Sequence, residues 1–86
     1  MKKLLLAAAL LLPLACLALD VNQATEAELD SVKGLGPSST ARILKAREAR
    51  PFKDWADFMQ RVKGIKPATA AKLSSGGLTV GDAPYP

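Results

Sequence analysis

The sequence predicts an all-α, compact domain of four to five short helices, arranged as two similar halves with pseudo-twofold symmetry. The main evidence for this fold is a repeat: "VKGLGPSSTARIL" at residues 32–44 returns thirty residues later as "VKGIKPATAAKL" at 62–73. Each copy places a glycine-containing turn between two segments that carry helix-start signals. A unit of about thirty residues cannot bury its apolar face alone, so we expect the two copies to pack against each other.

The chain begins with MKKLLLAAALLLPLACLALD, which has the order of a secretory signal peptide. Two lysines precede an apolar run over 4–12, Pro13 interrupts it, and small residues follow. We predict cleavage after Ala18, with lipidation at Cys16 or an uncleaved, outward-facing membrane anchor as alternatives. The apolar stretch is shorter than the roughly 20 residues that a membrane span requires. The chain accordingly divides into a signal peptide over 1–18, a domain over 19–80 that is not embedded in a membrane, and a flexible tail over 81–86.

The first half of the domain shows clear helix boundaries. Thr25 and Glu28 have the spacing of a capping box, which predicts a helix over 26–32. The Gly-Leu-Gly-Pro turn follows, and a second helix is predicted over 38–49, where Pro51 stops it.

The second half repeats this plan. Asp54 is a favourable N-cap for a helix over 55–62, and a Gly-Ile-Lys-Pro turn leads into a fourth helix over 68–73. Eleven apolar residues form the predicted core: Leu29, Val32, Leu35, Ile43, Leu44, Phe52, Trp55, Phe58, Val62, Ile65 and Leu73.

Charge is distributed unevenly along the chain. Residues 20–30 carry only acidic charges, whereas all ten basic residues after the leader lie between Lys33 and Lys72. This basic region coincides with the repeated phrase, which favours a polyanionic partner. The chain has no histidine, and its single cysteine lies in the leader. Common zinc sites, histidine acid–base catalysis and thiol chemistry are therefore excluded for the mature domain, and no cofactor is expected.

The repeated turns have the residue types of an anion site. Glycine permits a positive φ and a close approach to the backbone, while Leu35 and Ile65 are expected to point inward. The amides that follow are free donors at the positive end of a helix dipole, where phosphate binds readily. One copy alone would suggest a helix C-cap. Two copies, each followed by Arg42 or Lys72 at the same place, favour phosphate binding.

Both phrases resemble helix-hairpin-helix motifs, and residues 20–80 resemble the DNA-binding domain of the ComEA-like competence proteins. The resemblance runs from "DVNQATEAELDSVKGLGPSSTARIL" through "AREARPFKDWADFMQRVKGIKPATAAKL" and fades after "LTV". It implies a tandem helix-hairpin-helix protein that binds double-stranded DNA without sequence preference during natural transformation. It further implies a periplasmic location in bacteria with an outer membrane, and contact with the DNA-uptake machinery.

The same resemblance assigns the DNA-binding residues. In the first hairpin, phosphate would face the backbone of Gly34, Leu35 and Gly36 and the amides of Ser38 and Ser39. In the second hairpin, it would face Gly64, Ile65 and Lys66 and the amides of Ala68 and Thr69. Additional positive charge would come from the side chains of Lys33, Arg42, Lys63, Lys66 and Lys72.

Two departures from the family pattern affect these expectations. Lys66 replaces the second glycine of the second hairpin, so we expect a differently shaped turn whose ammonium partly offsets a weaker amide cradle. Ser38 and Ala68 stand where many relatives carry lysine, so we expect a lower affinity. Related hairpins also hold a monovalent cation on turn carbonyls, here those of Val32 and Leu35.

Two other classes of function compete with DNA binding. A protein-interaction module in the cell envelope would use Trp55, Tyr85 or the proline-containing tail as contacts. An enzyme, such as a nuclease or glycosylase fragment, would need free carboxylates, but Asp54 and Asp57 already have capping duties. We therefore expect no catalysis and no small-molecule substrate.

Overall fold

Four helices and two short strands make up the part of the chain that the computed structural model describes, which is residues 18–86. The elements are, in order, β1 (Leu19–Asp20), α1 (Glu26–Asp30), α2 (Pro37–Ala49), α3 (Trp55–Arg61), α4 (Pro67–Ser75) and β2 (Leu78–Thr79). The predicted, mostly helical architecture is confirmed, and the two strands were not predicted. Apart from Ala18, the predicted signal peptide lies outside the described residues. Between residues 18 and 86, no helix has the length and apolar character needed to cross a membrane.

The predicted N-caps start α1 and α3. The hydroxyl of Thr25 accepts from the Glu28 amide at 3.1 Å, and the Glu28 carboxylate accepts from the Thr25 amide at 2.8 Å. Asp54 caps α3 by accepting from the Asp57 amide at 2.8 Å. These contacts satisfy donors that a helix start leaves unpaired. The N-termini of α1 and α3, the first helix of each half, are therefore capped by their own side chains.

All four helices pack around one hydrophobic core. Every predicted core residue is buried except Leu44, which is half-buried at the edge of the core. The structure adds Val21 and Val80 from the two ends of the domain, together with Leu78 of β2. The core therefore extends beyond the two repeats.

The two strands pair in parallel and join the ends of the domain. Leu19 is opposite Leu78, and the Leu19 amide donates to the Gly77 carbonyl at 2.8 Å. The Asp20 carboxylate accepts from the Thr79 hydroxyl at 3.0 Å. These contacts anchor the start of the domain to its end.

The two halves are also tied through the linker that follows α2. The Asn22 side chain accepts from the Phe52 amide at 2.6 Å and donates to the Phe52 carbonyl at 3.0 Å. Arg61 donates to the carbonyls of Ala46 and Arg50 at 2.8 and 2.9 Å, and its guanidinium lies 4.5 Å from the centre of the Phe52 ring. The segment between α2 and α3 is therefore held by Asn22 from before α1 and by Arg61 of α3, whose side chains bind its backbone.

Residues 81–86, for which we predicted a flexible tail, make specific contacts with the helices. The Trp55 indole donates to the Ala83 carbonyl at 2.8 Å, and the Tyr85 ring meets the Trp55 ring edge to face at 5.5 Å. The Tyr85 amide also donates to the Ser74 hydroxyl at 3.0 Å. The tail thus covers Trp55, a predicted core residue that is 4% exposed.

Candidate nucleic-acid interface

The two predicted hairpins adopt the same turn. Gly34 has a φ of +105° and Gly64 a φ of +94°, values that glycine adopts far more readily than other residues. The amide of the apolar residue closes each turn in the same way, since Leu35 donates to the Val32 carbonyl at 3.0 Å and Ile65 to the Val62 carbonyl at 3.3 Å. The repeated phrase in the sequence therefore corresponds to a repeated backbone geometry.

Lys66 does not change the shape of the second turn, so that expectation was wrong. Lys66 has φ −107° and ψ 171°, and its counterpart Gly36 has φ −111° and ψ 179°. Both values lie in the extended region that any residue adopts. The lysine consequently costs no backbone strain and adds an exposed positive charge at the start of α4.

The apolar residue at the centre of each turn anchors the turn to the core. Leu35 is 7% exposed and Ile65 is 4% exposed, as predicted. Their side chains point away from solvent, so a ligand at either hairpin would meet their backbone and not their side chains.

The starts of α2 and α4 are open, in contrast to those of α1 and α3. Within residues 18–86, neither α2 nor α4 has a side-chain cap, and neither has an acidic residue in its first turn. The first helical bonds run from Thr40 to the Gly36 carbonyl at 2.9 Å and from Ala70 to the Lys66 carbonyl at 2.8 Å. Four predicted phosphate donors precede these bonds and have no helical acceptor: the amides of Ser38, Ser39, Ala68 and Thr69.

Exposed basic residues precede and follow these open helix starts in the chain. Five predicted basic residues are exposed, and none of them forms an ion pair with another part of the described chain: Lys33, Arg42, Lys63, Lys66 and Lys72.

The ion pairs described for residues 18–86 both involve Asp57. Asp57 approaches Arg61 at 3.1 Å and Arg50 at 3.9 Å. A hydrogen bond from the Lys53 amide, reinforced by the hydrogen bond and charge of Arg61 and by the charge of Arg50, holds the pKa of Asp57 below its ordinary value. Asp57 therefore partners Arg50 and Arg61 and none of the five predicted DNA-binding basic residues.

The surroundings of the two turn glycines differ. A Cβ on Gly34 would lie 3.1 Å from Cδ2 of Leu73 and 3.3 Å from Cδ of Lys72. A Cβ on Gly64 would have no described atom within 4 Å. The first hairpin is therefore packed against α4 of the other half, whereas Arg42, the counterpart of Lys72, does not cover the second hairpin in this way. Sequence reasoning did not place Lys72 beside Gly34, and nothing in the local pattern signals this contact.

Metal binding receives no support from clusters of side chains. No group of three or more His, Cys, Asp or Glu residues between 18 and 86 is placed to hold a metal ion. The monovalent cation at the carbonyls of Val32 and Leu35 stays a prediction.

The structure thus brings the predicted phosphate-facing backbone, an open helix start and exposed lysines together at each of two glycine turns. A family model of the helix-hairpin-helix motif matches residues 17–75, which is more than half of the chain, and the protein belongs to this family. The helix-hairpin-helix motif is generally a nucleic-acid-binding motif, so membership indicates DNA binding. No curated protein and no solved structure matches the chain.

Proposed function

We propose that this protein is exported and binds double-stranded DNA through both hairpins, with little preference for sequence. Its role would be to capture or retain incoming DNA in natural transformation, as in the ComEA-like proteins that it resembles. The observation that carries the proposal is the pair of identical turns, closed at Gly34 and Gly64, that both lead into an uncapped helix start. Their amides and lysines supply what a phosphate requires.

A duplex is the partner that best fits two equivalent hairpins. The turns have similar φ values, equivalent closing hydrogen bonds and the same spacing to the following proline. This equivalence supports a pseudo-twofold arrangement, in which each hairpin holds one strand on either side of the minor groove. The phosphates of the two strands are related by a local twofold axis, so a protein with matching symmetry can make the same contact twice.

Weak sequence preference follows from the chemistry of the contacts. Backbone amides and lysine side chains recognise phosphate and carry no direct information about bases. Asn22 has a side chain suited to reading adenine, but both of its amide atoms are engaged by the Phe52 backbone. Asn22 is therefore not free to read bases, and the predicted hairpin contacts are mainly backbone amides and lysines.

Export is supported by the leader sequence, and the predicted cleavage is compatible with the described contacts. Cleavage after Ala18 leaves every hydrogen bond described above in place, because β1 begins at Leu19. The periplasm is the compartment that we propose, and an outward-facing membrane anchor remains the alternative. Mass spectrometry of the protein from cell envelopes tests this, since a chain starting at Leu19, a lipidated Cys16 and an intact leader differ in mass.

The alternative of a protein-interaction module receives less support from the structure. Trp55, its principal candidate contact, is 4% exposed and donates its indole hydrogen to Ala83. Tyr85 packs on Trp55 and is half-buried. The aromatic residues that a partner would need are thus used within the domain.

Fluorescence anisotropy with labelled random-sequence duplexes at several salt concentrations tests DNA binding directly. Three to five phosphate contacts predict micromolar-range binding with a slope of log K against log salt of roughly −3 to −4.5. Duplexes of different sequence should bind alike. Binding that does not respond to salt, or no binding to any duplex, would refute the proposal. The same preparation incubated with plasmid and magnesium should leave the plasmid intact, because we expect no nuclease activity.

The proposed role in DNA uptake needs a test in cells. A deletion strain of the source organism should lose transformation by added DNA, and the wild-type gene should restore it. A gene encoding Gly36→Glu should fail to restore transformation if DNA binding is the property that uptake requires. Restoration by that variant, when it is exported at the wild-type level and binds no DNA in vitro, would contradict the proposed role.

A further inference from the structure

Its position in the repeat assigns Lys72 to the second hairpin, but in the structure its side chain packs over the first. It belongs to α4, which follows the second hairpin, yet its aliphatic stem passes over Gly34 of the first hairpin. A Cβ on Gly34 would be 3.3 Å from Cδ of Lys72 and 3.9 Å from its Cγ. Only Cε separates Cδ from the ammonium group, so the charge of Lys72 is carried close to the first turn.

The environment of Lys72 leaves this charge available. The residue is exposed, and no acidic group of residues 18–86 forms an ion pair with it. The neighbouring Leu73 is fully buried and also contacts the Gly34 position, at 3.1 Å. Because Leu73 fixes this turn of α4 against the core, the Lys72 stem is held at the hairpin and loses less conformational freedom when it binds a ligand.

No described side chain of the first half packs over the glycine of the second hairpin. A Cβ on Gly64 would have no described neighbour within 4 Å, so Arg42 does not pack over it as Lys72 packs over Gly34. The second hairpin instead carries Lys66 within its own loop, at the position that Gly36 occupies in the first. Each hairpin therefore has one lysine before its glycine and one further lysine, which comes from different places in the two cases.

We propose that the first hairpin is a composite phosphate site, in which α4 of the second half supplies the cation through Lys72, while the second hairpin uses Lys66. This inference rests on the proposed DNA binding and adds to it which cation serves which strand. It gives Gly34 a second role, because any side chain there would displace Lys72 as well as strain the turn. It also makes occupancy of the first hairpin dependent on the packing between the two halves.

A double-mutant cycle in duplex binding tests the assignment. Lys72→Met keeps the stem and removes the charge, Gly36→Glu places a carboxylate at the first hairpin, and Lys66→Glu does the same at the second. Dissociation constants are measured for the full mature chain at low salt, where even weakened variants bind measurably. Lys45→Met is the matched control, since Lys45 is exposed on α2 and belongs to neither hairpin.

Lys72→Met is expected to weaken binding several-fold and to make the salt slope shallower by about one unit. The same factor should persist in the Lys66→Glu background and largely disappear in the Gly36→Glu background. Lys45→Met should have a smaller effect that is equal in both backgrounds. Three results would overturn the composite site. They are a factor that persists in the Gly36→Glu background and disappears in the Lys66→Glu background, equal effects of Lys72→Met in both backgrounds, and no effect of Lys72→Met on the wild type.

Amide chemical shifts provide a second readout that does not depend on the carboxylate variants. In Lys72→Met, the shifts that a short duplex induces at Ser38 and Ser39 should shrink at a fixed, subsaturating DNA concentration, whereas those at Ala68 and Thr69 should change less. A uniform reduction at both hairpins would contradict the assignment. If the wild type binds no duplex at all, the proposed function itself fails, and this outcome is distinct from either pattern.

Discussion

Lys66 and Gly36 hold the same extended backbone conformation at equivalent places, one immediately before α4 and the other immediately before α2. A Cβ on Gly36 would have no described atom within 4 Å. The glycine at this place therefore serves neither the turn nor the packing. The first hairpin can accept a side chain here, which allows its charge to be changed without disturbing its shape.

Gly36→Lys is expected to strengthen duplex binding, because it gives the first hairpin the loop lysine of the second. One additional phosphate contact should make the salt slope steeper by about 0.9. Gly36→Glu should strongly weaken binding, since it places a carboxylate beside the Ser38 and Ser39 amides. Gly36→Gln is the neutral control for side-chain size. Circular dichroism should show unchanged helical content in all three variants, and equal affinities of the lysine and glutamate variants would contradict the phosphate site.

Gly34→Ala and Gly64→Ala should differ in their effect on stability. Both variants place a Cβ at a positive φ, which costs about 1–3 kcal/mol. Gly34→Ala additionally meets Leu73 and Lys72 at 3.1 and 3.3 Å, and such overpacking adds roughly 1 kcal/mol. Urea unfolding measures both free energies. An equal loss in the two variants would show that the first hairpin is not packed against α4 as described.

Arg61→Met should destabilise the domain by about 2–4 kcal/mol, because several carbonyl acceptors lose a charged donor together. The guanidinium donates to Ala46, Arg50 and Pro51 and lies against the Phe52 ring. Arg61→Lys keeps the charge but cannot reach these acceptors in the same planar arrangement, so its loss should be intermediate. Thermal or urea unfolding gives the order. Duplex affinity of the folded variants should stay near that of the wild type, since the Arg61 guanidinium is bound to the carbonyls of residues 46, 50 and 51 and is not one of the predicted phosphate contacts.

Asp57 should contribute to stability only above acidic pH. Its folded-state pKa is lowered, chiefly by the Lys53 amide and then by Arg61, so the stabilisation is present above the unfolded pKa. It should be lost as the pH falls below the ordinary carboxyl value of about 3.9 and through the lower folded value. Asp57→Asn should therefore be less stable than the wild type at neutral pH and approach it under acid conditions. A stability difference that is constant from pH 7 to pH 2 would be inconsistent with this linkage.

Removing residues 83–86 should expose Trp55. The indole would lose the Ala83 carbonyl as its acceptor and the Tyr85 ring as its neighbour. We expect a red shift of tryptophan fluorescence and a loss of about 1–3 kcal/mol in unfolding free energy. Deleting Pro86 alone is the control and should change neither. An unchanged emission spectrum on removal of 83–86 would support a flexible tail instead.

Local chemistry made much of this protein predictable. The capping box of Thr25 and Glu28, the Asp54 cap and the glycine turns all depend on residues a few positions apart, and each was found where the sequence indicated. The repeat also located both candidate phosphate sites. One local inference failed. Lys66, which stands in the second copy where the first has Gly36, was expected to alter the turn and does not. The backbone angle at that position, which the sequence does not reveal, turned out to suit any residue.

The amino-acid sequence by itself determined the helices, their caps, the two turns and the basic region. Only the tertiary structure decided that β1 pairs with β2, that Asn22 binds the Phe52 backbone and that Lys72 crosses onto Gly34. Each of these contacts joins segments that are distant in the chain, so no local preference encodes it. They form because burying Val21, Leu78 and Leu73 in one core brings those segments together, and the polar and charged contacts then follow from that packing.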